Sequence, residues 1–353
     1  MTTKRLANFE ALRTIAMLLI VLWHFFRYNP EFFFSENLTW PNLLMEDALL
    51  LLGGMGVNLF VLISGYFLVD KQFNYRRIIN IWLQVFFYSV LFSAIGWIYR
   101  KEFLTIHSAL DAFLPLLSKR YWFVGPYLGI VLLAPFLSYT VKALSQKQYQ
   151  WLLLVLVLLC CTFTLNFPYG NNLGAGSGYS LIWFIVLFFF GGYLNRFDPF
   201  PSKKKLSWIF LLVALGVYLF YIGKALWHYT KGLGHHPPEF SAYNSFVFPL
   251  SVLFFLIFKK TSPEGGWLLK GLAALAPYTF GVYLIHEHPL VRQVVWCDWW
   301  PSLGISYDDP WMIPAAIGFS ICIFLLCAGM DFFRQVFIKL IKRFKPSELT
   351  PRP

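Results

Sequence analysis

The sequence predicts an all-α fold, a polytopic membrane helix bundle of about ten transmembrane helices with both termini cytoplasmic. Three observations predict it. Only 13% of the 353 residues are charged, while 58% are hydrophobic and 20% aromatic. A soluble domain has roughly 25% charged residues, so this chain has too few to coat a water-facing surface. Apolar runs close to the roughly 20 residues that a helix needs to cross hydrocarbon recur along the chain, and basic residues gather in alternate connections.

The apolar segments are 10–28, 46–69, 78–99, 121–141, 150–166, 179–196, 206–226, 242–259, 272–291 and 311–334. The first follows "MTTKRLANFE", which lacks a small-residue cleavage site after a short apolar core. It reads as a retained span rather than a signal peptide. The second contains "GGMGVNLFVLISGYFL" (53–68), where Gly54, Asn58 and Gly65 share one helix face. Small residues let helix backbones approach closely, and Asn58 and Ser64 need polar partners in lipid. "DKQFNYRRIINIW" puts Arg76 and Arg77 at the entry to the third span.

Segment 105–118, "TIHSALDAFLPLLS", is too short and Pro-interrupted to span, so it reads as an interfacial or re-entrant helix. "FPYGNNLGAGSGYS" (167–180) lacks the Lys and the register of a phosphate-binding loop, and reads as a flexible external loop. "HYTKGLGHHPPEF" offers His228, His235 and His236 without a carboxylate or Cys at ligand spacing. "VVWCDWWPSLGISYDDPW" (294–311) joins four Trp to three Asp. It reads as an interfacial aromatic belt or as a sugar-stacking platform.

With the N-terminus inside and ten alternating spans, 20 of the 29 Lys and Arg fall in inside segments and 8 in outside ones. That bias sets the orientation. It also accounts for the net charge of +12 without nucleic acid. Cys160, Cys161, Cys297, Cys322 and Cys327 form no C-x-x-C pair, which argues against a disulfide framework or a zinc site. No fixed-period repeat or low-complexity linker appears, so residues 1–340 read as one transmembrane domain and 341–353 as a short cytoplasmic tail.

The first span, "NFEALRTIAMLLIVLWHFF", carries Glu10, Arg13 and His24. Lipid-facing charges of this kind cost about 2.5–3.5 kcal/mol each, so they face protein or a wet cavity. Arg13 and His24 are separated by about 1100° of helix, some 20° from whole turns, and by about 16 Å along the axis. They share a face, with Glu10 in ion-pair reach of Arg13. One stripe thus joins an anion-friendly end to a proton-transfer group. The plainer alternative is a snorkelling Arg13 paired with Glu10, and a His24 that merely bonds a neighbouring helix. Arg76 and Arg77 are either topological charges or forks for a polyphosphate tail. In "APYTFGVYLIHEHPLVR" (276–292), His286 and His288 stand two apart, on opposite sides of a helix, and are a poor metal pair; no metal is expected.

These stretches together carry a resemblance. "NFEALRTIAMLLIVLWH", "GVNLFVLISGYFL", "RRIINIW", "YWFVGPYLGIVLLAP" (121–135) and "GVYLIHEHPLVR" resemble, in that order, the acyltransferase-3 family of integral membrane acyltransferases. The closest likeness is to the branch that O-acetylates cell-surface polysaccharides. The resemblance implies a multi-pass protein of the bacterial cytoplasmic membrane. It implies an acyl group, usually acetyl, taken from cytoplasmic acetyl-CoA as co-substrate and passed to a hydroxyl of a glycan or lipid-linked sugar. No permanently bound cofactor is implied. Arg13 and His24 match the family's first-helix Arg and His, and Glu10 stands where an Asp is usual. Arg76 and Arg77 match its basic residues after the second span. Catalysis then rests on His24, Arg13 and Glu10, CoA binding on Arg13, Arg76 and Arg77, and substrate contacts on Asn58, Ser64, Tyr66, Trp122 and His286. A sugar hydroxyl is a weak nucleophile, so the transfer needs a positioned base and an oxyanion hole. Histidine suits the first role, directly or by accepting the acyl group. Asn58, Ser64 and Tyr66 are candidates for the second.

A transporter or flippase for a lipid-linked sugar is the rival reading, although paired repeats with broken helices at matching positions are not seen. A non-catalytic subunit of a polysaccharide assembly is a third. The orientation is testable by impermeant thiol labelling in a cysteine-free background. Asn172→Cys is expected to react from outside the cell and Lys204→Cys to be spared; the reverse pattern overturns the topology.

Overall fold

The computed structural model describes residues 6–29, 40–100, 105–161, 178–198, 200–231 and 247–344. Each of the ten apolar segments is helical there, and no strand occurs among the described residues. The helices are α1 (Ala7–Tyr28), α2 (Trp40–Leu68), α3 (Tyr75–Tyr99), α4 (Ile106–Phe113), α5 (Val124–Ala143) and α6 (Gln146–Cys161). They continue with α7 (Leu181–Arg196), α8 (Lys203–Thr230), α9 (Val247–Lys259), α10 (Trp267–Leu275), α11 (Thr279–His286) and α12 (Met312–Phe344). Seven stretches are long and apolar enough to cross a membrane. Helices α6, α7 and α9 are shorter. The loop expected at 167–177, His235, His236 and residues 345–353 lie outside the described residues.

Local chemistry explains several boundaries. The Asn74 side chain accepts the Arg76 N–H at 3.0 Å and starts α3, and Ser180 does the same for α7 through the Trp183 N–H. A reciprocal box between Thr105 and Ser108 opens α4, which ends before Pro115. The segment read as a span over 272–291 falls at Trp267–His286, a stretch long and apolar enough to cross that changes helix type midway. A 3₁₀ turn over Ala276–Tyr278 breaks it, and α11 stops at His286. Pro277 has no N–H to continue the helix. Polar side chains take up carbonyls around the break: Thr14 donates to Leu272 O at 2.8 Å, Thr279 to Ala276 O at 2.9 Å and Gln335 to Pro277 O at 3.1 Å. A broken helix in a membrane is tolerated on that condition.

Helix ends sort as alternating spans require. Asn8 at the start of α1 donates to Phe258 O in the last turn of α9 and to Thr261 O beyond it; Asn195 of α7 donates to Tyr66 O of α2; Arg196 reaches Val141 O of α5 and Leu144 O just after it. Lys71, Arg77, Lys259 and Lys260 belong to this same basic end of the bundle. The hydrogen bond from the Lys260 ammonium, at 2.7 Å, holds the Asp198 carboxyl there below the usual carboxylate range. The opposite end is tied by Tyr307 to Asn29 at 2.8 Å, by Asn42 to Tyr307 O, and by the Arg100–Asp298 ion pair. In the Trp-rich segment, Trp296 and Trp300 are core, packed around Phe25 and Phe319, and only Trp299 and Trp311 are exposed. Half of the supposed belt or platform is therefore interior packing.

Two contacts set the spacing of the centre. The fully buried Asp331 of α12 accepts from Tyr88 and Arg334 at 2.8 Å each, from Gln335 at 2.8 Å and from Gln84 at 3.2 Å, and α11 passes it at Gly281. Helices α2 and α7 cross at Gly65 and Gly191. A Cβ on Gly65 would meet Phe188 O at 2.6 Å, and one on Gly191 would meet Tyr66 N at 2.6 Å. Backbone cannot step aside as a side chain can, so Gly65→Ala should cost about 1–3 kcal/mol by forced overpacking. Thermal unfolding in detergent should show a lowered midpoint for Gly65→Ala and none for Gly216→Ala, where an added Cβ meets nothing. Equal midpoints would remove the crossing from its role.

Candidate functional site

Leu6, Glu10, Arg13, Met17, Ile20 and His24 recur every three or four residues along one face of α1. That face lines a cavity of about 800 Å³, a size typical of small-molecule and cofactor sites. Its other walls are Val57, Phe60, Ser64 and Phe67 of α2, Arg77 and Ile81 of α3, the turn Trp122–Phe123, and Thr279, Phe280 and Tyr283 of α11. Lys71, in the α2–α3 connection, joins Arg13 and Arg77 at the basic end. Arg13 is held by Glu10 through contacts of 2.9 and 3.1 Å to its two carboxylate oxygens, so its guanidinium has a fixed base inside the cavity.

At the far end of the stripe, the buried His24 meets two residues from the end of α11. Its Nδ1 lies 2.8 Å from His286 Nε2 and 3.5 Å from Glu287 Oε2. His286 Nδ1 is 2.6 Å from the carbonyl oxygen of Val282. A carbonyl can only accept, so His286 carries its proton on Nδ1 and offers Nε2 as the acceptor. His24 must then donate from Nδ1. Its remaining nitrogen, Nε2, is left as a lone pair on a ring that borders the cavity. Glu287 is itself fixed: Tyr28 donates to its Oε1 at 2.8 Å, and Arg292 stands 3.7 Å from the same oxygen while stacking on the Tyr28 ring. A carboxylate at this distance stabilises an imidazolium on His24.

Donor atoms of His24, His286 and Glu287 lie within 4.8 Å of one another, the spacing of a possible metal cluster. Two nitrogens bound to one tetrahedral zinc at 2.0–2.1 Å stand roughly 3.3 Å apart. The observed 2.8 Å is a hydrogen-bond distance, and the geometry is that of a shared proton. His288, as expected from its spacing, turns away from His286 and joins Arg120 and Ser93.

The other sequence-derived residues divide. Ser64 and Trp122 line the large cavity with Arg77, whereas Arg76 does not. Ser64 donates to Phe60 O at 2.9 Å. Asn58 borders a second, small pocket on the α7 side of His24. Tyr66 lines neither; it stacks on Phe9 at 4.9 Å. Glu287, Lys71 and Tyr283 were not singled out from the sequence. Glu287 was visible as the middle of "HEH", and the break at Pro277 is what lets α11 end with it against His24.

The acyltransferase-3 family model, described as an acyltransferase domain, matches residues 6–329. No curated protein and no solved structure matches the chain. The tautomers are checkable by nitrogen-15 NMR of histidine-labelled protein. Both His24 and His286 should show a protonated Nδ1 and a bare Nε2, and a proton on His24 Nε2 would overturn the assignment.

Proposed function

Since the chain belongs to the acyltransferase-3 family and is a multi-pass membrane acyltransferase, we propose that it moves an acetyl group from cytoplasmic acetyl-CoA to a glycan hydroxyl on the outer side of a bacterial cytoplasmic membrane. The observation that carries this reading is the α1 stripe. It runs inside one cavity from three cations to a histidine whose free nitrogen is Nε2. The basic end is the cytoplasmic end by the positive-inside bias. Arg13, Lys71 and Arg77 hold the CoA phosphates there, Arg77 and Arg13 as forks and Lys71 as a point charge. The roughly 16 Å from Arg13 to His24 suits an extended pantetheine arm, and the apolar walls between them keep water from the thioester.

The residues then act in sequence. His24 Nε2 takes the proton of the acceptor hydroxyl as its oxygen attacks the thioester carbonyl. The charge on the ring is met by Glu287, and His286 keeps Nδ1 engaged so that only Nε2 can turn over a proton. When the carbon–sulfur bond breaks, the proton passes from Nε2 to the departing sulfur, leaving CoA thiol, acylated sugar and neutral His24. Ser64 lines the cavity but donates its one hydroxyl hydrogen to Phe60 O, so it serves the oxyanion only by turning that hydrogen from the carbonyl to the thioester oxygen.

His24→Ala and His24→Gln should each lower transfer by about 10²–10⁴-fold, the usual worth of a general base, while acetyl-CoA still binds. Near-normal transfer by His24→Gln would make the residue structural. Charge removal in Lys71→Met/Arg77→Met should instead raise the Kd for acetyl-CoA by about 10-fold or more in a purified binding assay. Unchanged affinity would return the pair to topology.

A further inference from the structure

Beyond His24 lies a second pocket, of about 30 Å³, which shares Ile20, His24, Val57 and Trp122 with the large cavity. The two voids adjoin at those four residues. The small pocket's own walls differ in kind. Gly53 and Gly54 give it a floor without side chains, and Trp23 and Tyr179 give it an aromatic rim, with Tyr179 edge-on to Trp122 at 4.6 Å. Among its described lining residues, Asn58 and His24 carry the fixed polar groups. The amide's orientation is set from both sides: Oδ1 accepts from Trp183 Nε1 at 2.9 Å, and Nδ2 donates to Ser251 Oγ at 3.2 Å. The second Nδ2 hydrogen has no partner among the described residues, so Asn58 presents a donor.

We propose that this pocket is the acceptor subsite and that it admits a primary hydroxymethyl arm, the sugar ring remaining on the Trp23–Trp122–Tyr179 rim. The inference rests on the acyltransferase reading above and adds the class of hydroxyl. Its basis is size. One water needs about 10–15 Å³ of such space, so 30 Å³ holds roughly two non-hydrogen atoms, a carbon and its oxygen. A ring hydroxyl brings a carbon with two ring bonds to that junction, whereas an exocyclic hydroxymethyl extends past the ring by one further bond. Its oxygen can then reach His24 while Asn58 donates to it. Flat aromatic faces suit the apolar faces of a sugar ring, as they suit other planar or apolar ligands.

The test uses the purified full chain with acetyl-CoA, following release of free thiol with methyl α-D-glucopyranoside or its 6-deoxy counterpart as acceptor. The first probe should accelerate release several-fold in a saturable way and the second should not. Tyr179→Ala, which opens the rim, should narrow that difference and raise the acceptor KM about 10-fold while the Kd for acetyl-CoA stays within 2-fold. Equal acceleration by both probes overturns the hydroxymethyl assignment. Acceleration by neither, with acetyl-CoA still bound, overturns the acceptor subsite. Failure to bind acetyl-CoA at all overturns the reading beneath it.

Discussion

The hydrogen bond from His24 to His286 is the contact on which the centre of this molecule depends. An imidazole inside hydrocarbon is tolerable only when its polar atoms have partners or face a cavity. Here one nitrogen of each ring is consumed by the next group in a chain that ends on the Val282 carbonyl. The chain has a direction, because a carbonyl cannot donate. Its other end is therefore a lone pair, and α1 can place that lone pair in a cavity without stranding a proton. The break at Pro277 serves the same end: it lets α11 reach His24 with its final residues while Thr14, Thr279 and Gln335 satisfy the carbonyls around the turn.

Much of this was legible in the chain. The ten apolar runs became helices because a segment with hardly a charge must satisfy its backbone internally. The stripe of Glu10, Arg13 and His24 followed from helical spacing alone, since residues three and eleven apart share one face. What sequence could not supply was the partner across the bundle. His286 lies 262 residues from His24; the sequence offered it as a substrate contact, and nothing in "GVYLIHEHPLVR" says that its ring meets that of His24. Tyr66 and Arg76 show the converse limit. Each sits beside a residue that does line the cavity, and one step along a helix turns a side chain about 100° away.

The Trp-rich segment was ambiguous for a different reason. Aromatic side chains are equally at home at a membrane interface, on a sugar and in a core, and composition does not separate these uses. Burial does. Trp296 and Trp300 brace α1 from the side of Phe25, one residue beyond His24, against α12. Packing of this kind holds the ring of His24 to the narrow range of positions that a proton transfer requires.

Separating the cations from the base by the length of α1 has an energetic consequence. Attraction between the basic end and a polyphosphate is made equally in the ground and transition states, so on its own it would only tighten binding. It becomes useful for catalysis when it draws an apolar, flexible arm through a cavity whose end is already organised. The entropy of fixing that arm is then offset by contacts far from the reacting carbon. Where the two voids adjoin, in turn, little needs to move: His24 has its tautomer set, Glu287 has its carboxyl anchored by Tyr28, and His24 lines both voids. The phosphate end and the histidine end thus perform different work, and the single helical face between them is what makes the first act on the second.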